Sequence, residues 1–124
     1  MTATPESVSL ARTAAEAAFE KLATSVAAID VSERLPLTDV FVIASGETTR
    51  QVRAIVDGID EALHKAGVER IRREGYEGDL HWVLADYGDL IVHVQQDEDR
   101  EFYALEQLWG DCPPIDVSDL KGER

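Results

Sequence analysis

A chain of 124 residues is long enough for one domain with one hydrophobic core, and its hydrophobic content of 44% is sufficient to fill that core. A formal net charge of −13 disfavours direct binding to nucleic acids and to anionic membranes, because both repel an acidic surface. There is no run of 18 apolar residues and no secretory signal pattern, and Cys112 is the single cysteine, so we expect a cytoplasmic protein without a membrane span.

The first half of the chain predicts two helices and two strands. Apolar residues recur at helical spacing over residues 7–24 and again over residues 48–66. Between these segments, residues 26–31 are short and rich in β-branched side chains, which predicts a strand. The nearly continuous apolar run at residues 39–45 is typical of a central strand that is covered on both faces.

The second half predicts three strands and a last helix. Residues 68–74, 82–86 and 90–96 have strand character, and the short Tyr87-Gly88-Asp89 segment predicts a hairpin between the last two. Residues 97–109 predict a helix that Pro113 and Pro114 would stop. We therefore expect an α/β fold: a single domain over residues 1–110, built on a mixed five-stranded sheet with flanking helices, followed by a mobile polar tail at 111–124. The unit over residues 39–74 should place its two strands parallel.

Two patterns suggest catalytic chemistry, and both have simpler interpretations. Residues 45–50 join a strand to a helix start, where a phosphate can bind, but they lack the second glycine and the lysine of a phosphate-binding loop. We favour a helix capped by Thr48 or Thr49. Four carboxylates lie at predicted strand ends or turns: Asp30, Asp39, Asp86 and Asp89. They would suit a metal-dependent nucleotidyltransferase-like enzyme, our alternative function, but no two of them have Asp-x-Asp spacing.

The histidines are scattered and have no cysteine or second histidine at metal-ligand spacing. His93 lies in a predicted strand, on the same face as Ile91 and Gln95. We therefore expect a structural histidine, and neither a metal nor a cofactor.

The most informative cluster is aromatic and acidic. Trp82, Leu84 and Asp86 alternate onto one face of a predicted strand, and Tyr87 falls on the other face. If Trp82 faces outward it forms an apolar hot spot for a partner, and if it faces inward it belongs to the core; the pattern leaves both open. From Glu74 to Glu101 there are nine acidic residues and one basic residue, which favours a basic protein partner.

These blocks together resemble the ribosomal silencing factor family, which includes the Iojap-related proteins. The matching segments are EG at 74–75, WVLADYGD at 82–89, VHV at 92–94 and REFYALEQLW at 100–109, with DV at 30–31, Asp39, FVIA at 41–44, SG at 45–46 and RQV at 50–52 upstream. The resemblance covers roughly residues 14–109 and leaves the tail outside.

The resemblance implies a nucleotidyltransferase-like fold without a working nucleotidyltransferase site. It implies binding to the large-subunit ribosomal protein L-fourteen, on the face that meets the small subunit. Such binding blocks association of the two subunits and represses translation when nutrients are short. It also implies a homodimer when free. Trp82 is carried over as a partner contact, with Leu84, Asp86, Tyr87 and Asp89 as neighbours. Occlusion needs no catalytic group, so we expect a protein that is not an enzyme.

Overall fold

The computed structural model describes residues 3–98 and 111–121. Within those ranges the chain forms two α-helices, six strands and one short 3-10 helix. In chain order these are α1 (Pro5–Glu20), β1 (Ser25–Asp30), β2 (Val40–Gly46), α2 (Thr49–Lys65), β3 (Arg72–Glu74), β4 (Trp82–Asp86), β5 (Leu90–Gln96), β6 (Pro114–Ile115) and the 3-10 helix Ser118–Leu120.

The strands form one mixed sheet in the order β3-β4-β5-β2-β1-β6. β2 and β5 pair in parallel at the centre, and every other neighbouring pair is antiparallel. β2 and β3 run in the same direction, as the sequence predicts, but β5 and β4 lie between them. The predicted hairpin between β4 and β5 is confirmed, and Gly88 at its turn has a φ of 93°, a left-handed conformation that glycine adopts without strain.

Both α-helices begin at threonine caps. The hydroxyl of Thr4 accepts a hydrogen bond from the amide of Ser7, and Pro5 occupies the first turn of α1. In α2 the hydroxyl of Thr48 accepts a hydrogen bond from the amide of Gln51 at 3.1 Å. Of the two caps that the sequence allows, Thr48 and Thr49, the structure therefore uses Thr48. The local sequence therefore places both helix starts.

The main core lies between these helices and one face of the sheet. The apolar stripe of α2, including Ile55, Ile59 and Leu63, is fully buried against strand residues such as Val42 and Val92. Most of the buried side chains of α1 are alanines, which let this helix approach both α2 and the sheet closely. The opposite face of the sheet carries the side chains of alternate residues, starting with Trp82, and a smaller apolar cluster of Ile29, Val31, Ile43 and Cys112.

The structure corrects the predicted number of strands. The sheet has six strands rather than five, because β6 pairs with the outer edge of β1 and the amide of Asp30 donates to the carbonyl of Pro113 at 2.9 Å. In the same C-terminal segment Asp119 forms an ion pair of 2.6 Å with Arg12, and the boundary and mobility of the tail stay a prediction. Pro114 lies in β6 at the edge of the sheet, where a missing N–H costs no ladder hydrogen bond.

Two further predictions concern parts of the fold that remain open. The last helix, predicted at 97–109, lies outside the described residues except for residues 97 and 98, which are helical. The nucleotidyltransferase-like class stays a prediction. Among the described helices, none has the length and apolar character needed to cross a membrane.

Candidate partner-binding site

Trp82 stands at the start of β4 on the sheet face opposite the helices, and 37% of its surface is exposed. Its indole stacks on the ring of His93 in β5, with the ring centres 5.8 Å apart and the planes inclined by 30°. The sequence left open whether Trp82 faces outward, and the structure places it partly open to solvent. It is therefore positioned to contact a partner without first leaving the core.

Leu84 and Asp86 follow Trp82 on the same face. Leu84 is half-buried and pairs across the sheet with His93 on one side and with Glu74 of β3 on the other. We call the strip formed by Trp82, Leu84 and Asp86 the docking strip. Its side chains project to one side because residues alternate along a strand, so the period-two pattern of the sequence predicted this grouping correctly.

Asp86 also has a structural role at the end of the strip. Its carboxylate accepts a hydrogen bond from the amide of Gly88 at 2.8 Å, which stabilises the hairpin turn. Its other oxygen lies 3.6 Å from Nε of Arg72. The carboxylate of Asp86 thus already contacts Gly88 and Arg72, and its negative charge is less available to a partner protein than its position alone suggests.

Tyr87 and Asp89 do not join the docking strip. Tyr87 is buried on the helix side, where its hydroxyl donates to the carboxylate of Asp60 at 2.9 Å. Burial, together with this hydrogen bond, raises the pKa of Tyr87 well above its usual value. Asp89 is exposed at the turn, and its carbonyl accepts hydrogen bonds from the amides of Asp39 and Val40.

Comparison with known proteins assigns this arrangement to a family. A family model described as ribosomal silencing factor during starvation matches residues 4–124. The chain belongs to the ribosomal silencing factor family. It is 37% identical over 108 residues to ribosomal silencing factor RsfS of Halalkalibacterium halodurans, covering 87% of this chain and 92% of that one. A crystal structure from Chromobacterium violaceum superposes with a TM-score of 0.78 at 33% identity, covering 82% of this chain and 84% of that one.

Organellar relatives extend the family. Protein Iojap of Zea mays chloroplasts is 30% identical over 115 residues, covering 90% of this chain and 48% of that protein. A mouse protein named mitochondrial assembly of ribosomal large subunit protein 1 is 33% identical over 90 residues, covering 70% of this chain and 39% of that protein. The match of the family model reaches the C-terminal segment that the sequence resemblance left outside.

In this silencing factor family member, the acidic zone of residues 74–101 is spread over several surfaces. Seven of its nine carboxylates lie within the described ranges, and only Asp86 and Asp97 among those seven are half-buried. Glu74 shares the face of the docking strip, but Arg72 lies 3.6 Å from its carboxylate. The sequence alone does not indicate a role for Arg72, because the antiparallel pairing of β3 with β4 is what places this residue beside Asp86.

Two polar side chains beside Trp82 are held away from water. Burial lowers the pKa of His93 to about 4, so its imidazole is neutral at pH 7. Gln95, directly across from Trp82, is fully buried, and neither Nε2 nor Oε1 of its amide has a hydrogen-bond partner among the residues that the structure describes. The alternation of the strand placed both residues on this face, but no sequence signal indicated that Gln95 would be buried without a partner.

The other candidate sites are occupied by structural contacts. At the start of α2, the amide of Glu47 donates to Oε1 of Gln51, and Thr48 caps the helix, as the sequence favours. The carboxylate of Asp39 accepts from the amide of Thr4 and from the hydroxyl of Ser7 at 2.9 Å. No three His, Cys, Asp or Glu side chains converge on a possible metal position anywhere in residues 3–98 or 111–121.

Proposed function

We propose that this chain binds ribosomal protein L-fourteen on the large subunit in the cytoplasm and blocks association of the two ribosomal subunits. The resemblance implies this target, and the family description, which names silencing during starvation, supports a role in repressing translation when nutrients are short. The name of the mouse relative links a further family member to the large subunit.

The observation that carries the proposal is the partly exposed indole of Trp82 on the sheet face opposite α1 and α2. Tryptophan is enriched among residues whose truncation costs most binding energy, because a rigid ring buries a large area with little loss of entropy. Half-buried Leu84 extends the apolar surface, and exposed carboxylates at its margin suit a basic ribosomal protein. The strip therefore offers an apolar centre with a charged rim, the usual organisation of a protein–protein interface.

Occlusion accounts for silencing without a chemical step. An interface of standard size covers about 800 Å² on each partner. A protein bound at a surface where two subunits meet prevents their contact by its bulk alone. The function therefore requires only that the docking strip place the rest of the domain in the path of the small subunit.

The binding test compares Trp82→Ala with the unchanged chain in sedimentation with purified large subunits and in titration with purified L-fourteen. We expect the variant to bind at least about tenfold more weakly, the effect of losing roughly 1.4 kcal/mol at an interface hot spot. Leu22→Ala is the matched control, because Leu22 is 60% exposed and lies beside the helices, where its carbonyl accepts from Gln51. Equal binding by Trp82→Ala and the unchanged chain would refute the proposed contact.

We propose further that the free protein is a homodimer, as the resemblance implies, which analytical ultracentrifugation tests directly.

The alternative of a metal-dependent nucleotidyltransferase-like enzyme predicts heat on titration with nucleotide and magnesium. The described carboxylates do not favour it, because Asp39 and Asp86 are bound to different parts of the chain.

A further inference from the structure

Two exposed aliphatic side chains flank the turn between β4 and β5. Leu37 is 84% exposed and Ile71 is 67% exposed. The amide of Ile71 donates to the carbonyl of Asp86 at 2.7 Å, and its Cδ1 would lie 3.5 Å from a Cβ placed on Gly88. The hydrogen bond and the short distance to Gly88 both place Ile71 directly against the turn.

Leu37 reaches the same turn from the other side. The hydroxyl of its neighbour Thr38 donates to the carbonyl of Gly88 at 3.4 Å, and the amide of Asp39 donates to the carbonyl of Asp89 at 2.9 Å. These two hydrogen bonds hold the loop before β2 against the turn. The backbone thus brings two segments that are far apart in sequence to one end of the sheet.

The distribution of exposed apolar residues is uneven. Among the residues that the structure describes, four large hydrophobic side chains are exposed: Leu22, Leu37, Ile71 and Trp82. Two of the four, Leu37 and Ile71, lie beside the turn that follows β4, and Trp82 lies at the other end of that strand. A single exposed leucine needs no explanation, but two exposed aliphatic side chains beside one turn, at the end of a proposed binding strip, indicate a surface that a partner covers.

The charge beside this cluster indicates what kind of partner fits. Asp89 is exposed, and within the described ranges its carboxylate has neither a hydrogen bond nor an ion pair, whereas the neighbouring Asp86 is held by Gly88 and Arg72. An unpaired carboxylate next to aliphatic side chains suits a lysine or arginine whose stem packs on the apolar surface. A second copy of this chain fits less well, because its net charge is also −13.

We infer that Leu37, Ile71 and Asp89 form a second contact for the same basic ribosomal partner, which we call the turn contact. The inference rests on the proposed function and adds to it a site for an aliphatic side chain beside a cation. Asp86 lies four positions after Trp82, a distance of about 13 Å along a strand. One partner surface of standard size spans the docking strip and the turn contact together.

The test uses two variants with matched controls in the large-subunit sedimentation assay. The double variant Leu37→Ser, Ile71→Ser removes the apolar part, and Leu22→Ser is its control at the opposite end of the strands. Asp89→Lys reverses the charge without altering the backbone carbonyl of Asp89 that the loop uses. Glu20→Lys makes the same charge change at the end of α1, on the helix side of the sheet. We expect each turn variant to weaken binding about tenfold and each control to change it less than about twofold.

The outcomes separate this inference from the proposed function. If Trp82→Ala weakens binding but both turn variants bind like the unchanged chain, the turn contact is refuted and the docking strip stands. If the unchanged chain binds no large subunits, both ideas fail. If the double variant only converts a dimer into monomers in ultracentrifugation, the surface joins two copies and the inference is overturned.

Discussion

At the scale of single residues, Gln95 and His93 show that the face carrying Trp82 is not optimised for stability. A buried amide without a hydrogen-bond partner costs free energy, because it has lost water and gained nothing in return. Because burial keeps His93 neutral, the free energy of unfolding falls when the pH is low enough to protonate this histidine in the unfolded chain. Both residues lie on β5, on the same sheet face as the docking strip, where Gln95 pairs with Trp82 and His93 pairs with Leu84.

We predict that Gln95→Met stabilises the protein. Methionine fills a similar volume without polar groups, so the free energy of unfolding should rise by about 1–3 kcal/mol in urea denaturation. Gln96→Met is the matched control, because the amide of Gln96 donates to the carbonyl of Asp79 at 2.6 Å and to Thr49 at 3.0 Å. This control should lose stability, and an equal loss in Gln95→Met would mean that its amide is hydrogen-bonded.

His93 should make stability fall in mild acid. Because burial lowers the folded pKa from 6.5 to about 4, the unfolded chain binds more protons between these values. The stabilisation is complete above pH 6.5 and is lost as the pH falls toward 4, with roughly 2 kcal/mol lost between pH 6.5 and pH 5. Urea unfolding of His93→Phe should lack this part of the pH dependence, and identical pH profiles for the two proteins would contradict the burial argument.

At the scale of elements, the C-terminal segment contributes to the sheet. β6 pairs with β1, and both Cys112 and Val117 are buried on either side of it. A chain that ends at residue 110 should therefore lose about 3 kcal/mol of unfolding free energy, the contribution of two small buried side chains. Thermal and urea unfolding measure the loss. Arg12→Ala, which removes the exposed ion pair with Asp119 and a hydrogen bond to the carbonyl of Asp116, should change stability little, and an unchanged midpoint in the shortened chain would contradict this role.

The elements also show where sequence reasoning succeeds and where it stops. The period-two pattern of residues 82–86 correctly grouped Trp82 with Leu84, and Gly88 correctly marked the turn. β6 escaped prediction because two residues show no periodicity, and its pairing depends on β1, far away in sequence. The parallel pairing of β2 with β5 is likewise a long-range contact that local pattern does not encode. The exposure of Trp82 could not be predicted from the sequence, because it depends on which face of the sheet the helices cover.

At the scale of the whole molecule, the main core and the proposed docking strip lie on opposite faces of the sheet. The helices and one sheet face supply the main core, with α2 contributing a fully buried apolar stripe. The other face presents the docking strip, and the turn between β4 and β5 extends it. Leu37, Ile71 and Trp82 are exposed or partly exposed, so each proposed contact can be removed without emptying a buried site.

The most direct test of the account measures subunit joining. Small and large subunits are mixed with the unchanged chain or with Trp82→Ala, and complete ribosomes are quantified on sucrose gradients, with circular dichroism confirming that the variant is folded. We predict that the unchanged chain keeps subunits apart and that the folded variant permits joining. A folded Trp82→Ala protein that blocks joining as effectively as the unchanged chain would contradict the account.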